Sequence, residues 1–79
     1  MNTTMKKDVR KDMRTELQSV EQYLPHGYGE EISERLKNEV SAAHVRAVRS
    51  GSRSTPRILH ALIVLAKEER DKIQKSIDL

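Results

Sequence analysis

Seventy-nine residues carrying 15 Lys and Arg against 12 Asp and Glu, with no Cys, Trp or Phe, describe one small domain spanning 1–79. A chain this short hides only roughly 60% of the surface its unfolded form exposes, so its core is thin unless it associates. The absence of Cys excludes a disulfide-rich secreted module and an iron–sulfur carrier, and the length excludes a multidomain enzyme.

The first predicted element is a helix over 4–24. Met5, Val9, Met13, Leu17, Val20 and Leu24 form one apolar stripe on it, with Thr3 or Thr4 as N-cap. Pro25 biases Leu24 away from helical angles and Gly27 permits a turn. A second helix is expected over 29–38, with Glu30 and Glu31 at the positive end of its dipole and Tyr28, Ile32 and Leu36 on one face. Ser41 is the expected N-cap of a third helix over 42–50, in which Val45 and Val48 are the large apolar side chains and which Gly51 stops. Thr55 as N-cap and Pro56 at the first helical position open a fourth helix over 55–76. Ile58, Leu59, Leu62, Leu65 and Ala66 mark its core face, and Ile73 and Ile77 carry the stripe onward. No segment alternates with period two for long enough to make a strand. The fold class is all-α, with two long helices flanking two short ones.

The net charge of +3 is unevenly placed. Residues 1–24 carry +1, residues 25–40 carry −2, and residues 61–79 sum to zero. Residues 41–60 hold Arg46, Arg49, Arg53 and Arg57 and no acid. Arginine is the residue suited to bidentate contact with phosphates and guanine edges.

The two short helices are the informative part. A small residue, Ser33, is followed by Leu36, a turn, Val40-Ser41, and then Val45 and Val48. That order is the packing code of a helix-turn-helix, in which the small residue lets two helices approach and the aliphatics fix the second helix by one face. The other face, with Ala42, Ala43, Arg46, Ala47, Arg49 and Ser50, is expected to stay free and to carry no acid. In such a unit it lies in the DNA major groove. The run Ile32-Ser33-Glu34-Arg35-Leu36, Val40-Ser41, Val45, Val48, Gly51-Ser52-Arg53, Pro56 and Ile58-Leu59-His60-Ala61-Leu62 resembles the Cro/lambda-repressor-like helix-turn-helix domains of bacteria, phages and mobile elements. The likeness covers about residues 28–66. It implies a four- or five-helix DNA-binding fold that usually binds operator half-sites as a dimer. Two features depart from the family pattern: Lys37-Asn38-Glu39 replaces the glycine of the turn, and Gly29 stands near the place of a frequent glutamine.

These readings converge on a sequence-specific double-stranded DNA-binding protein, a small transcriptional regulator or repressor. Its expected DNA-binding residues are Ser41, Ala42, Ala43, His44, Arg46, Ala47, Arg49, Ser50, Arg53 and Arg57, with Arg46 and Arg49 nearest the bases and Arg53 and Arg57 on phosphates. Each arginine also has an ordinary reading as a solvated surface charge. Ile73 and Ile77 fit either packing on the first helix or a homodimer seam. His26, His44 and His60 lie 18 and 16 residues apart with no completing ligands, so neither a metal nor a cofactor is expected; His60 is expected to be half-buried. No nucleophile elbow or phosphate loop supports catalysis, and the chain reads as a non-enzyme without a small-molecule substrate. The longest apolar run, Ala61 to Ala66, is six residues, and the start lacks a leader pattern, so a cytoplasmic domain with no membrane partner is expected. The alternative function is a helical protein–protein adaptor, antitoxin-like or inhibitor-like, which the acidic Glu30, Glu31, Glu34 and Glu39 favour.

Overall fold

The structure, a computed structural model, describes residues 9–78, with side chains from 12 to 75. Four α-helices follow in order: α1 (Val9–Val20), α2 (Tyr28–Arg35), α3 (Ala42–Ser50) and α4 (Pro56–Asp78), with a 3-10 turn at Glu21–Tyr23 after α1. No strand occurs among the described residues. The fold is all-α, as the periodicity predicts. The expected start of the first helix, with Thr3, Thr4 and Met5, lies outside the described residues.

The long α4 is the platform on which the other three helices pack, and α2 also packs on α3. Leu17 of α1, Ile32 of α2, Val45 and Val48 of α3, and Ile58, Leu59, Leu62, Ile63 and Leu65 of α4 form the buried cluster. The period of 3.6 explains the membership: residues three and four apart share a face, and the core face of each helix turns towards α4. His60 falls off that face and is exposed, which corrects the expectation of half-burial. Ile73, at 50% exposure, is the exposed large hydrophobic residue of the described surface.

Two boundaries differ from the sequence expectation by three residues or more. The first helix tightens to 3-10 geometry at Glu21, ahead of Pro25. The second ends at Arg35 rather than Asn38, because Lys37 and Asn38 both take left-handed angles, with φ of 58° and 62°. Asn38 N–H donates to Ser33 C=O (2.8 Å) and Lys37 N–H to Glu34 C=O (3.0 Å). This is the Schellman pattern, with lysine where glycine is usual. The same pattern closes α3 with glycine in place: Gly51 has φ of 97°, and Ser52 N–H reaches Ala47 C=O at 3.1 Å.

Candidate nucleic-acid interface

Helix α3 is held at its start by Ser41, whose hydroxyl accepts from the His44 N–H at 3.0 Å, the N-cap bond the sequence predicts. Val45 and Val48 are fully buried and fix the inner face. The close approach to α2 is made by Gly29 and Ala42: a Cβ on Gly29 would stand 3.2 Å from the Ala42 carbonyl and 3.0 Å from Arg46 Nη1. Ser33 works differently from its expected role as a spacer. Its hydroxyl donates to the Val40 carbonyl at 2.7 Å and so pins the turn between the helices.

The outer face of α3 is formed by Ser41, Ala43, Arg46 and Ser50, all exposed, with Ala42, His44, Ala47 and Arg49 half-buried along its edges. Ala43 and Ala47 lie four apart and keep this face low. A shallow depression of about 340 Å³ runs beside it, lined by Ser41, Ala43, His44, Ala47 and Arg53. The Ser50 hydroxyl is turned back onto the Ala47 carbonyl at 3.0 Å.

The acid-free run in the sequence is not an acid-free surface in space. Arg46 pairs with Glu30 of α2 at 3.2 Å, and Arg57 pairs with Glu39 of the α2–α3 turn at 2.8 Å. Arg49 is not on a free face at all. Its Nε meets Glu21 at 3.2 Å and its guanidinium lies 4.9 Å from the centre of the Tyr28 ring. Desolvation opposes the Arg49 charge, but the Tyr28 and Glu21 side chains more than restore it, and its pKa is raised. Glu30 is held below its ordinary value, first by its own backbone N–H and then by Arg46. These pairs correct the expectation that this face of α3 stays free, although the helix itself carries no acid.

Arg53 differs from the other three. Among the described residues it has no carboxylate partner; its Nη1 lies 3.4 Å from His44 Nε2. His44 Nε2 is also 3.3 Å from the Thr55 hydroxyl. Arg14 of α1 fastens this corner, donating to the Arg49 carbonyl and to the Arg53 carbonyl, each at 3.1 Å. Arg14 and Glu21 are residues of this surface that sequence reasoning passed over, and Tyr28, Glu30 and Glu39 are ones it gave other roles. The available signal was the −2 segment lying next to the +4 segment, which predicts cross-helix pairing.

Arg53, in the α3–α4 loop, thus borders α3 through His44, Arg57 in the first turn of α4 meets the α2–α3 turn, and Ala42 through Ser50 form the helix itself with Ser41 as its cap. Among the described residues no group of His, Asp and Glu converges as a metal site, and no helix is long and apolar enough to cross a membrane. Comparison with protein-family models, with curated proteins and with solved structures yields no match.

Proposed function

We propose that this chain is a sequence-specific double-stranded DNA-binding protein, a small transcriptional regulator or repressor of the Cro/lambda-repressor-like kind, with α3 as the helix that enters the major groove. One observation carries the reading. Val45 and Val48 hold α3 by its inner side, while Ala43, Arg46, Ala47 and Ser50 line an outer side that is low and edged by Arg53, with Arg57 at the α2–α3 turn. A helix anchored on one face and small on the other can approach base edges. Arg46 is the base reader, since it is half exposed at 52% and rests on one exposed carboxylate that a guanine or a phosphate can replace. Arg53 and Arg57 take phosphates. Arg49 serves as a brace, tying α3 to Glu21 and Tyr28. The protein acts in the cytoplasm as a homodimer, with Ile73 on the outer turns of α4 contributing to the seam. No chemistry on the nucleic acid belongs to this reading.

The test is a titration with random duplex at low and high salt. Binding that falls steeply with salt supports phosphate contact. The neutralisation of Arg46 by Glu30 and of Arg57 by Glu39 favours a second reading, a helical adaptor for a protein partner. Absence of duplex binding at low salt selects the adaptor. Sedimentation at micromolar concentration tests the dimer, and a species of only 9.1 kDa in the absence of DNA makes association depend on DNA.

A further inference from the structure

We infer that His44, Arg53 and Thr55 form a phosphodiester-binding site that takes up a proton as it binds, so that the affinity of α3 for a nucleic-acid backbone rises as the pH falls. The inference rests on the DNA-binding reading above and assigns one corner of that surface its ligand and its regulation.

A guanidinium has donors only, so the Arg53 Nη1 contact to His44 Nε2 at 3.4 Å requires that nitrogen to be unprotonated. The Thr55 hydroxyl, 3.3 Å from the same nitrogen, can donate or accept. Neutral Nε2 offers a single lone pair. Protonation turns it into a donor, which Thr55 can accept and Arg53 cannot. The proton therefore leaves the imidazolium fixed by Thr55 and sets Arg53 loose beside it, two cations in contact. An anionic oxygen between them removes the repulsion and accepts from both.

Among the described residues, nothing in the surroundings does this already. The depression at the site is lined by Ser41, Ala43, His44, Ala47 and Arg53, without a carboxylate. Each neighbouring charge is engaged elsewhere. On α3 itself, Arg46 is held by Glu30 and Arg49 by Glu21. From α4, Arg57 is held by Glu39 of the α2–α3 turn. From α1, Arg14 donates to the Arg53 carbonyl and so steadies the backbone behind the site without supplying an anion. Three of the four arginines between 41 and 60 rest on glutamates, and the fourth rests on an imidazole. Histidine is the side-chain type whose charge changes between pH 5 and 8, which sets the range over which the coupling is tested. Proton uptake and phosphate binding then strengthen each other by the same factor.

The test uses the full chain at constant ionic strength. Duplex affinity is measured at pH 5.5, 6.5 and 7.5, and proton uptake by calorimetry in buffers of different ionisation enthalpy. Expected is a gain of at least about fivefold from pH 7.5 to 5.5, flattened in His44→Gln and in Arg53→Gln and retained in His26→Gln and His60→Gln. His44→Asn and a thermal melt guard against a folding defect in the glutamine variant. Dimethyl phosphate, a diester whose charge is constant over this range, supplies an arm without DNA: it should perturb the His44 ring resonances in the parent chain, and more strongly at pH 5.5. Duplex binding that is flat with pH, or a pH dependence that survives His44→Gln, overturns the inference and leaves the DNA-binding reading intact. Loss of all duplex binding with a retained dimethyl phosphate response overturns the DNA-binding reading and leaves the site. Failure of both arms overturns both.

Discussion

Helices α2 and α3 are nearly equal, eight and nine residues, and close with the same hydrogen-bond pattern, yet they carry opposite charge. Helix α2 holds Glu30, Glu31 and Glu34 against Arg35; α3 holds Arg46 and Arg49 and no acid. Where the two meet, the charges cancel, as in the Glu30–Arg46 pair. Where α3 faces the turn into α4, they do not, and Arg53 is left with His44. The difference teaches that positive charge available to a partner is set by what each arginine already touches. The number of arginines in the run overstates it.

The largest expected effect removes what both helices depend on. Val48 is fully buried against the platform, so Val48→Ala loses two methyl groups and leaves a cavity. The expected loss is about 2 kcal/mol, lowering the melting temperature by roughly 8–16 °C. An unchanged thermal melt would mean that α3 is not seated as described. Next come the two arginines of α3, which should part company. Arg46→Ala should cost roughly 1–3 kcal/mol on a specific duplex and relax preference at one base position. It should leave stability nearly unchanged, because an exposed ion pair contributes at most about 1 kcal/mol. Arg49→Ala should do the reverse, costing about 1 kcal/mol of stability through the lost Tyr28 and Glu21 contacts. Equal behaviour of the two variants in duplex binding and melting would erase the distinction between reader and brace.

A smaller effect concerns the acid on the α2 side. Glu30→Gln should tighten random duplex, since it frees Arg46 and removes a repelling charge. The pH dependence has a definite sign. Glu30 and Glu68 are both held below 4.5 in the folded chain, Glu68 chiefly by its hydrogen bond from Arg35. Their contribution to stability is therefore complete above the ordinary carboxylate range and is lost as the pH falls from 4.5 through their lower folded values. Acid melts of Glu30→Gln should lack the Glu30 part of that loss, and a variant that loses stability as steeply as the parent chain would remove Glu30 from the account.

Much of this architecture is legible from local chemistry. Ser41, Gly51 and Thr55-Pro56 mark helix ends because their side chains or torsions act within a few residues, and the structure places α3 at the expected 42–50. The Val45 and Val48 spacing identifies the buried side of α3 for the same reason. The partners of the arginines are not legible in this way. Glu30, Glu39 and Glu21 stand 16, 18 and 28 residues before the arginines they meet, and Arg14 reaches carbonyls 35 and 39 residues ahead. Only the packing of the helices brings them together. The early end of α2 is of the same kind, since the Ser33–Val40 bond and the start of α3 force the turn on a residue that does not favour it.

That turn gives the smallest effect and the closest comparison of the two helix ends. At the position that Gly51 fills after α3, α2 has Lys37 with φ of 58°. A left-handed residue with a Cβ is disfavoured by roughly 1–2 kcal/mol, while a new glycine gives back roughly 0.5–1 kcal/mol through the greater freedom of the unfolded chain. Lys37→Gly should therefore stabilise the fold by about 0.5–1 kcal/mol, raising the melting temperature by roughly 2–8 °C. Lys37 is exposed, so little packing is lost with its side chain. The mirror experiment is Gly51→Ala. A Cβ there meets nothing within 4 Å, so the backbone alone sets the cost, and a loss of about 1 kcal/mol is expected. The two changes should move the melting temperature in opposite directions. If Lys37→Gly lowers it instead, the lysine side chain stabilises the turn by more than its left-handed torsion costs, and the equivalence of the two helix ends fails.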